Sequence, residues 1–154
     1  YSPDGSGASF TNARNYLSNI GYSCGTHQDY SQIAVLNSLE NNHPVMIEGY
    51  RRDTGKGHAW LIDGYKSITE TTKEWHRELG QVHWTLVSTI TINNKYLHFK
   101  WGAEGGSYDG HFFIEKQVVA NPGGTNIIRA NIFTATSPNI DYNNNVKIIP
   151  NIYH

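Results

Sequence analysis

His58 opens the run Gly57-His58-Ala59-Trp60-Leu61-Ile62-Asp63-Gly64-Tyr65, an apolar stretch that stops at Asp63-Gly64. A ring at the start of a buried strand is anchored by the residues behind it and open to a cleft in front, which is what general-base chemistry requires. Such an imidazole needs a group to deprotonate. The only thiol, Cys24, lies in Tyr22-Ser23-Cys24-Gly25-Thr26-His27, just after a helical stretch. A nucleophilic cysteine belongs at a helix N-terminus, where the dipole and a nearby cation lower its pKa; at the C-terminal end the dipole has the wrong sign. Cys24 therefore reads as a partly buried, inert thiol. His58 on its own would be a strand-end histidine capping a sheet.

Other chemistries find less support. There are eight histidines, but Cys24-x-x-His27 and the scattered His76, His83, His98 and His111 lack paired ligand spacing. At strand periodicity His98 and Lys100 share a face, which would set a cation beside any metal, so neither a metal site nor a cofactor is expected. The glycine-rich stretch from Gly102 to Gly110 precedes a strand instead of opening a helix; it matches a phosphate loop poorly and reads as a surface loop beside a substrate groove. Trp60 and Met46 lie on presumed core strands, where packing is the simpler role. Asp63 is expected to close a turn with Gly64.

The elements that position these residues follow from composition and periodicity. Lys plus Arg number 12 against 13 Asp plus Glu, a net charge of -1, so no basic field advertises nucleic acid or anionic lipid. Aromatics make up 12% and charged residues 16%, with 15 glycines, a mixture that suits a β-rich, loop-rich exported protein. One cysteine excludes an internal disulfide. No run approaches the ~18 apolar residues of a membrane span. The sequence begins at Tyr1 without Met or a leader, so an upstream segment is expected.

Phe10, Ala13, Leu17 and Ile20 recur at helical spacing before Gly21; Ile33, Leu36 and Leu39 form a second stripe, with Asp29 and Gln32 as a capping box. Strands are expected over residues 45–50, 58–62, 84–92, 95–99, 111–114 and 127–134, with Asn93-Asn94 as a hairpin turn. Segment 66–80 reads as a polar insertion carrying a helical turn. The predicted fold is α+β, with two N-terminal helices packed on one face of a twisted antiparallel sheet. A unit spanning 1–136 is followed by an Asn-rich tail, 137–154, expected to wrap the surface or be loosely ordered.

Taken in order, Asn-His-Pro-Val, Gly-His-Ala-Trp-Leu-Ile-Asp-Gly-Tyr and Trp-Gly-x-x-Gly-Gly-Ser-Tyr-Asp-Gly-His-Phe resemble the C-terminal half of the streptopain family of secreted, papain-like bacterial cysteine peptidases. The similarity spans residues 5–120. It implies that His58 is the catalytic histidine, which pairs with a thiolate and later protonates the leaving amine. The family's first half, which carries the cysteine and an oxyanion-hole contact, is not in this sequence. Lys100-Trp101-Gly102 stands where the family has Asn-Trp-Gly. A lysine ammonium has only donors and cannot accept a hydrogen bond from the imidazole. Trp101 would shelter the orienting bond from water. The family's second tryptophan is replaced by Ala103-Glu104, and Glu104 and Asp109 are the alternatives for orienting His58.

The resemblance therefore implies the His-bearing part of an endopeptidase that acts on peptide or protein substrates through a thioester. It also implies an upstream Cys-bearing half or companion chain, and a secreted, cell-surface or periplasmic location. The isolated chain is expected to be inactive. The alternative is a catalytically inactive relative that uses the groove as a peptide- or protein-binding module, for which Lys100 and Ala103 argue. A structural or adhesion module has only the composition in its favour.

Overall fold

The computed structural model describes residues 9–102, 109–129, 134–135, 140–142 and 144–154. Helix α1 (Phe10–Asn19) starts where the Ser9 hydroxyl accepts from the Asn12 N–H, and the chain leaves it through Gly21 at φ 95, a conformation that glycine adopts without penalty. Strand β1 (Gln28–Asp29) precedes α2 (Gln32–Glu40). The N-cap of α2 is Ser31, which accepts from the Ala34 N–H. Asp29 is not part of a capping box: its carboxylate is drawn across the sheet to Lys147 Nζ at 2.8 Å.

The remaining strands are β2 (Val45–Tyr50), β3 (Gly57–His76), β4 (Thr85–Lys100), β5 (Gly110–Asn121), β6 (Gly124–Arg129), β7 (Thr134–Ala135), β8 (Ile140–Asp141) and β9 (Asn144–Ile149). Seven of the strands form one curled sheet in the order β1-β9-β2-β3-β4-β5-β6, and every neighbouring pair is antiparallel. β7 and β8 pair with each other apart from it. The architecture is α+β, as expected, and no helix among the described residues is long and apolar enough to cross a membrane.

Four expectations are corrected. Segment 66–80 is not an insertion with a helical turn. Through His76 it continues β3, which runs against β4 as a long ribbon. From Lys66 to His76 the ribbon is exposed on both faces, so its sequence lacks the polar/apolar alternation of a half-buried strand, while Ile68, Thr69, Thr71 and Thr72 retain the β-branching that favours extended backbone. Asn93-Asn94 is not a turn: β4 passes straight through it, Asn94 opposite Ile68 and Asn93 opposite Thr69, and the chain reverses at 77–84 instead. A primed two-residue turn needs positive φ at its first central position, and in type I′ at both, and neither asparagine has it.

The third correction concerns the tail. Asn144–Ile149 does not wrap the surface but enters the sheet between β1 and β2, where Ile148 and Ile149 are fully buried. The fourth follows from it. Successive side chains on a strand point to opposite faces. Val45 and Ile47 of β2, Trp60 and Ile62 of β3, Leu97 and Phe99 of β4, Ile114 of β5 and Ile148 of β9 pack with Val35 and Leu39 of α2. Met46 and Ile149 point the other way and pack with Phe10 and Leu17 of α1 and with Ile152. The two helices thus cover opposite faces, because β2 and β9 are apolar on both sides at this end of the sheet.

Two expected strands differ in extent. β5 runs well past the short segment expected at 111–114, and the strand expected at 127–134 starts earlier, at Gly124, while its residues 130–133 lie outside the described residues.

Candidate functional site

His58 is the second residue of β3, opposite Gly49 in the β2 ladder and on the face covered by α2. It stands at the end of an interior strand, half-buried. Its Nε2 lies 2.9 Å from the main-chain carbonyl oxygen of Trp101. A carbonyl can only accept, so Nε2 carries the proton, and in the neutral ring Nδ1 keeps its lone pair for base chemistry. Trp101 directly follows β4, and its own N–H donates to Asp109 Oδ1 at 2.9 Å. Gly102, at φ 70, then turns the chain away in the left-handed region. Asp109 and His58 thus bind the N–H and the C=O of the same residue, which belong to consecutive peptide groups.

The structure therefore brings His58, Trp101 and Gly102 together and leaves Lys100 out. Lys100 lies on the opposite face of β4, half-exposed, with Nζ 3.6 Å from Asp63 Oδ2. Asp109 holds the Trp101 N–H and does not itself bond to His58, and Glu104 lies outside the described residues. The orienting group is a peptide carbonyl, which has no side-chain signature in the sequence.

Trp60 and Trp101 are buried and stack at 4.5 Å between ring centroids. The imidazole lies nearly parallel to both, 6.0 Å from Trp60 and 5.8 Å from Trp101. Tyr142, from the segment ahead of β9, is 5.6 Å from His58. Nothing near position 142 in the sequence marks this tyrosine as part of the site. The surround is apolar and aromatic on the sides the structure describes, which strengthens the hydrogen bond of the ring to the Trp101 carbonyl.

Asp63 is not a turn residue. It occupies an irregularity in β3, between Ile62 and Gly64, and meets His98 Nδ1 at 2.5 Å as well as Lys100. His111 lies across the ladder from His98, its ring 4.9 Å away. Partial burial, then the charges of Lys66 and His98, depress the pKa of His111 below the usual histidine range. This polar cluster is on the face opposite His58, and no group of three or more potential ligands able to hold a metal ion occurs among the described residues.

Cys24 follows α1 and packs against the cluster of Phe10, Ile149 and Ile152, so the sheet separates it from His58. Burial pushes its thiol pKa up, with Arg14 offsetting only part of the effect. It lines an open cavity of ≈ 380 Å³ with His43 and Tyr153. A raised pKa at the wrong end of a helix describes a poor nucleophile. In comparisons with known proteins, no family model and no curated protein matches the chain.

Proposed function

We propose that the chain is the histidine-bearing part of a cysteine-type endopeptidase of the streptopain-like kind, completed by an upstream segment or companion chain that carries the nucleophilic cysteine. The observation that carries the reading is the hydrogen bond from His58 Nε2 to the Trp101 carbonyl, with Nδ1 of the half-exposed ring left without a partner among the described residues. Two further observations support it. Trp101 is buried beside the imidazole, the place the family resemblance assigns it, and the chain's own thiol is on the wrong face of the sheet.

In this reading Nδ1 takes the proton of the incoming thiol, giving a thiolate–imidazolium pair. The Trp101 carbonyl accepts from Nε2–H in both charge states. Attack of sulfur on the scissile carbonyl forms a tetrahedral oxyanion. His58 then delivers its Nδ1 proton to the leaving amine as the C–N bond breaks, which leaves a thioester. Water, deprotonated by Nδ1, releases the acid and regenerates the thiol. Because the carbonyl supplies the acceptor, Lys100 in the place of an asparagine does not remove the orienting bond. By the same resemblance, the protein acts outside the cytoplasm.

The second reading, a binding module without activity, draws on the lysine at position 100. The two separate in one experiment. The reading frame upstream of Tyr1 is inspected for a Gly-Cys helix start, and that segment is produced together with residues 1–154 and assayed on a fluorogenic peptide. The peptidase reading expects no turnover from residues 1–154 alone, turnover from the assembly, and loss of at least ~10³-fold in the His58→Ala variant. An assembly that binds the peptide but does not cleave it would establish the binding module.

A further inference from the structure

Among the described residues His58 makes one hydrogen bond, which leaves the imidazole free to pivot about its Nε2···O axis, and a proton-transfer group tolerates only ~10–20° of misorientation. Something must hold the His58 ring in its plane. Four rings meet at this point, His58, Trp60, Trp101 and Tyr142, and all six centroid separations among them lie between 4.5 and 6.1 Å. The two tryptophans come from the strands that carry the site. Tyr142 alone comes from elsewhere, from the segment between β8 and β9.

The route of that segment shows why the tyrosine arrives there. β9 pairs with β2 through Met46, Ile47 and Glu48, and the register then shifts before Tyr50 pairs with Asn144. Gly49 falls in the shift, directly opposite His58 on the β3 side. A Cβ at position 49 would clash with the Tyr142 carbonyl oxygen, and it would lie 3.2 Å from Tyr142 Cβ and 3.3 Å from the Trp60 ring. Gly49 does not have positive φ, so glycine is needed there for space and not for backbone conformation. The absent side chain is the seat on which Tyr142 rests.

We infer that Tyr142 is a positioning residue for His58, seated by Gly49, so that the segment leading into β9 supplies a wall of the site. The wall restricts the ring to the orientation in which Nε2 meets the Trp101 carbonyl and Nδ1 remains open. It also places an electron-rich face beside the imidazolium formed during turnover. The inference rests on the reading of His58 as the reactive group, but not on the presence of a thiol partner.

The test uses the intact chain and needs no peptidase activity. In the wild-type protein, nuclear Overhauser contacts are expected between the Tyr142 ring protons and the His58 ring protons. Their absence in a folded sample overturns the inference without any variant. Histidines are then modified with diethyl pyrocarbonate and quantified peptide by peptide. Tyr142→Ala and Gly49→Ala should each raise the modification rate of His58 roughly tenfold, while Tyr142→Phe keeps it within about twofold, because the ring and not the hydroxyl makes the contact. His98 and His111, on the other face, serve as internal references and should not change. If all three histidines accelerate together, or if Tyr142→Ala and Tyr142→Phe behave alike, Tyr142 is merely structural. If Tyr142→Ala does not fold, the Overhauser contacts and Gly49→Ala decide. Failure of the hydrolysis assay leaves these outcomes unaffected, and their failure leaves the hydrolysis assay unaffected.

Discussion

Replacing Ile148 with alanine tests whether β9 belongs to the sheet. Ile148 is fully buried, with Ile47 of β2 opposite it on one side and Gln28 of β1 on the other. The substitution removes the outer carbons of the side chain, at ~0.8 kcal/mol each for transfer alone, or about 2.4 kcal/mol. The cavity left between two paired strands adds about 1–2 kcal/mol, because an interior strand cannot collapse inward as an edge can. The total is about 3.4–4.4 kcal/mol. For a chain of 154 residues, each kcal/mol lowers Tm by roughly 2–4 °C. Urea unfolding followed by the fluorescence of the buried Trp60 and Trp101 should show the midpoint fall with an unchanged slope. Ile33→Ala is the control: Ile33 is 72% exposed on α2, and its loss should cost no more than about 0.5 kcal/mol. If the two variants unfold at the same urea concentration, β9 does not occupy the interior of the sheet.

Asp109→Ala removes the acceptor for the Trp101 N–H and should cost about 1 kcal/mol, since the site is open enough for water to replace part of the bond. It should also accelerate diethyl pyrocarbonate modification of His58, and Asp109→Asn, which keeps an accepting oxygen, should restore the wild-type rate. Glu115 is buried beside Lys95, Arg129 and Gln32, and the hydrogen bond from Lys95 leads the interactions that hold its carboxyl below the ordinary 4.5. Its folded pKa is depressed, so the stabilisation is complete above the unfolded value and is lost as the pH falls through 4.5 toward the folded one. Glu115→Gln should flatten the acid side of the stability–pH curve; an unchanged curve would show that the cluster contributes nothing.

How far the sequence could be read depended on whether a signal was local. The run from His58 to Ile62 is local, so its strand and the position of its histidine at the strand's start were legible. β3 beyond Tyr65 was not, because a ribbon wet on both faces carries no alternation. The placement of the helices failed for a related reason: with 144–149 taken as tail, the second apolar face of the sheet, Met46 and Ile149, was invisible, and one face had to hold both helices. The orienting group of His58 was sought among side chains, whereas a backbone carbonyl leaves no letter to read. Tyr142 reaches the site only through the register shift at Gly49, a tertiary fact that neither residue announces.

The place of β9 also fixes an order of events during synthesis. It follows all its sheet partners in the chain, yet it lies between β1 and β2, and β1 has no other strand partner among the described residues. The Asp29 to Lys147 ion pair joins residues 118 apart, so the loop that must close to seat this strand encloses most of the chain. Contacts of such separation form slowly. At ~5–20 residues per second, the nascent chain spends seconds with β1 unpaired and the inner edge of β2 bare, the state in which strands from neighbouring chains are captured. Tyr142 is carried in by the same late docking. A nascent chain that has already built the strand bearing His58 therefore has no finished site until β9 has emerged, and the docking of that strand closes the sheet and completes the surround of its histidine.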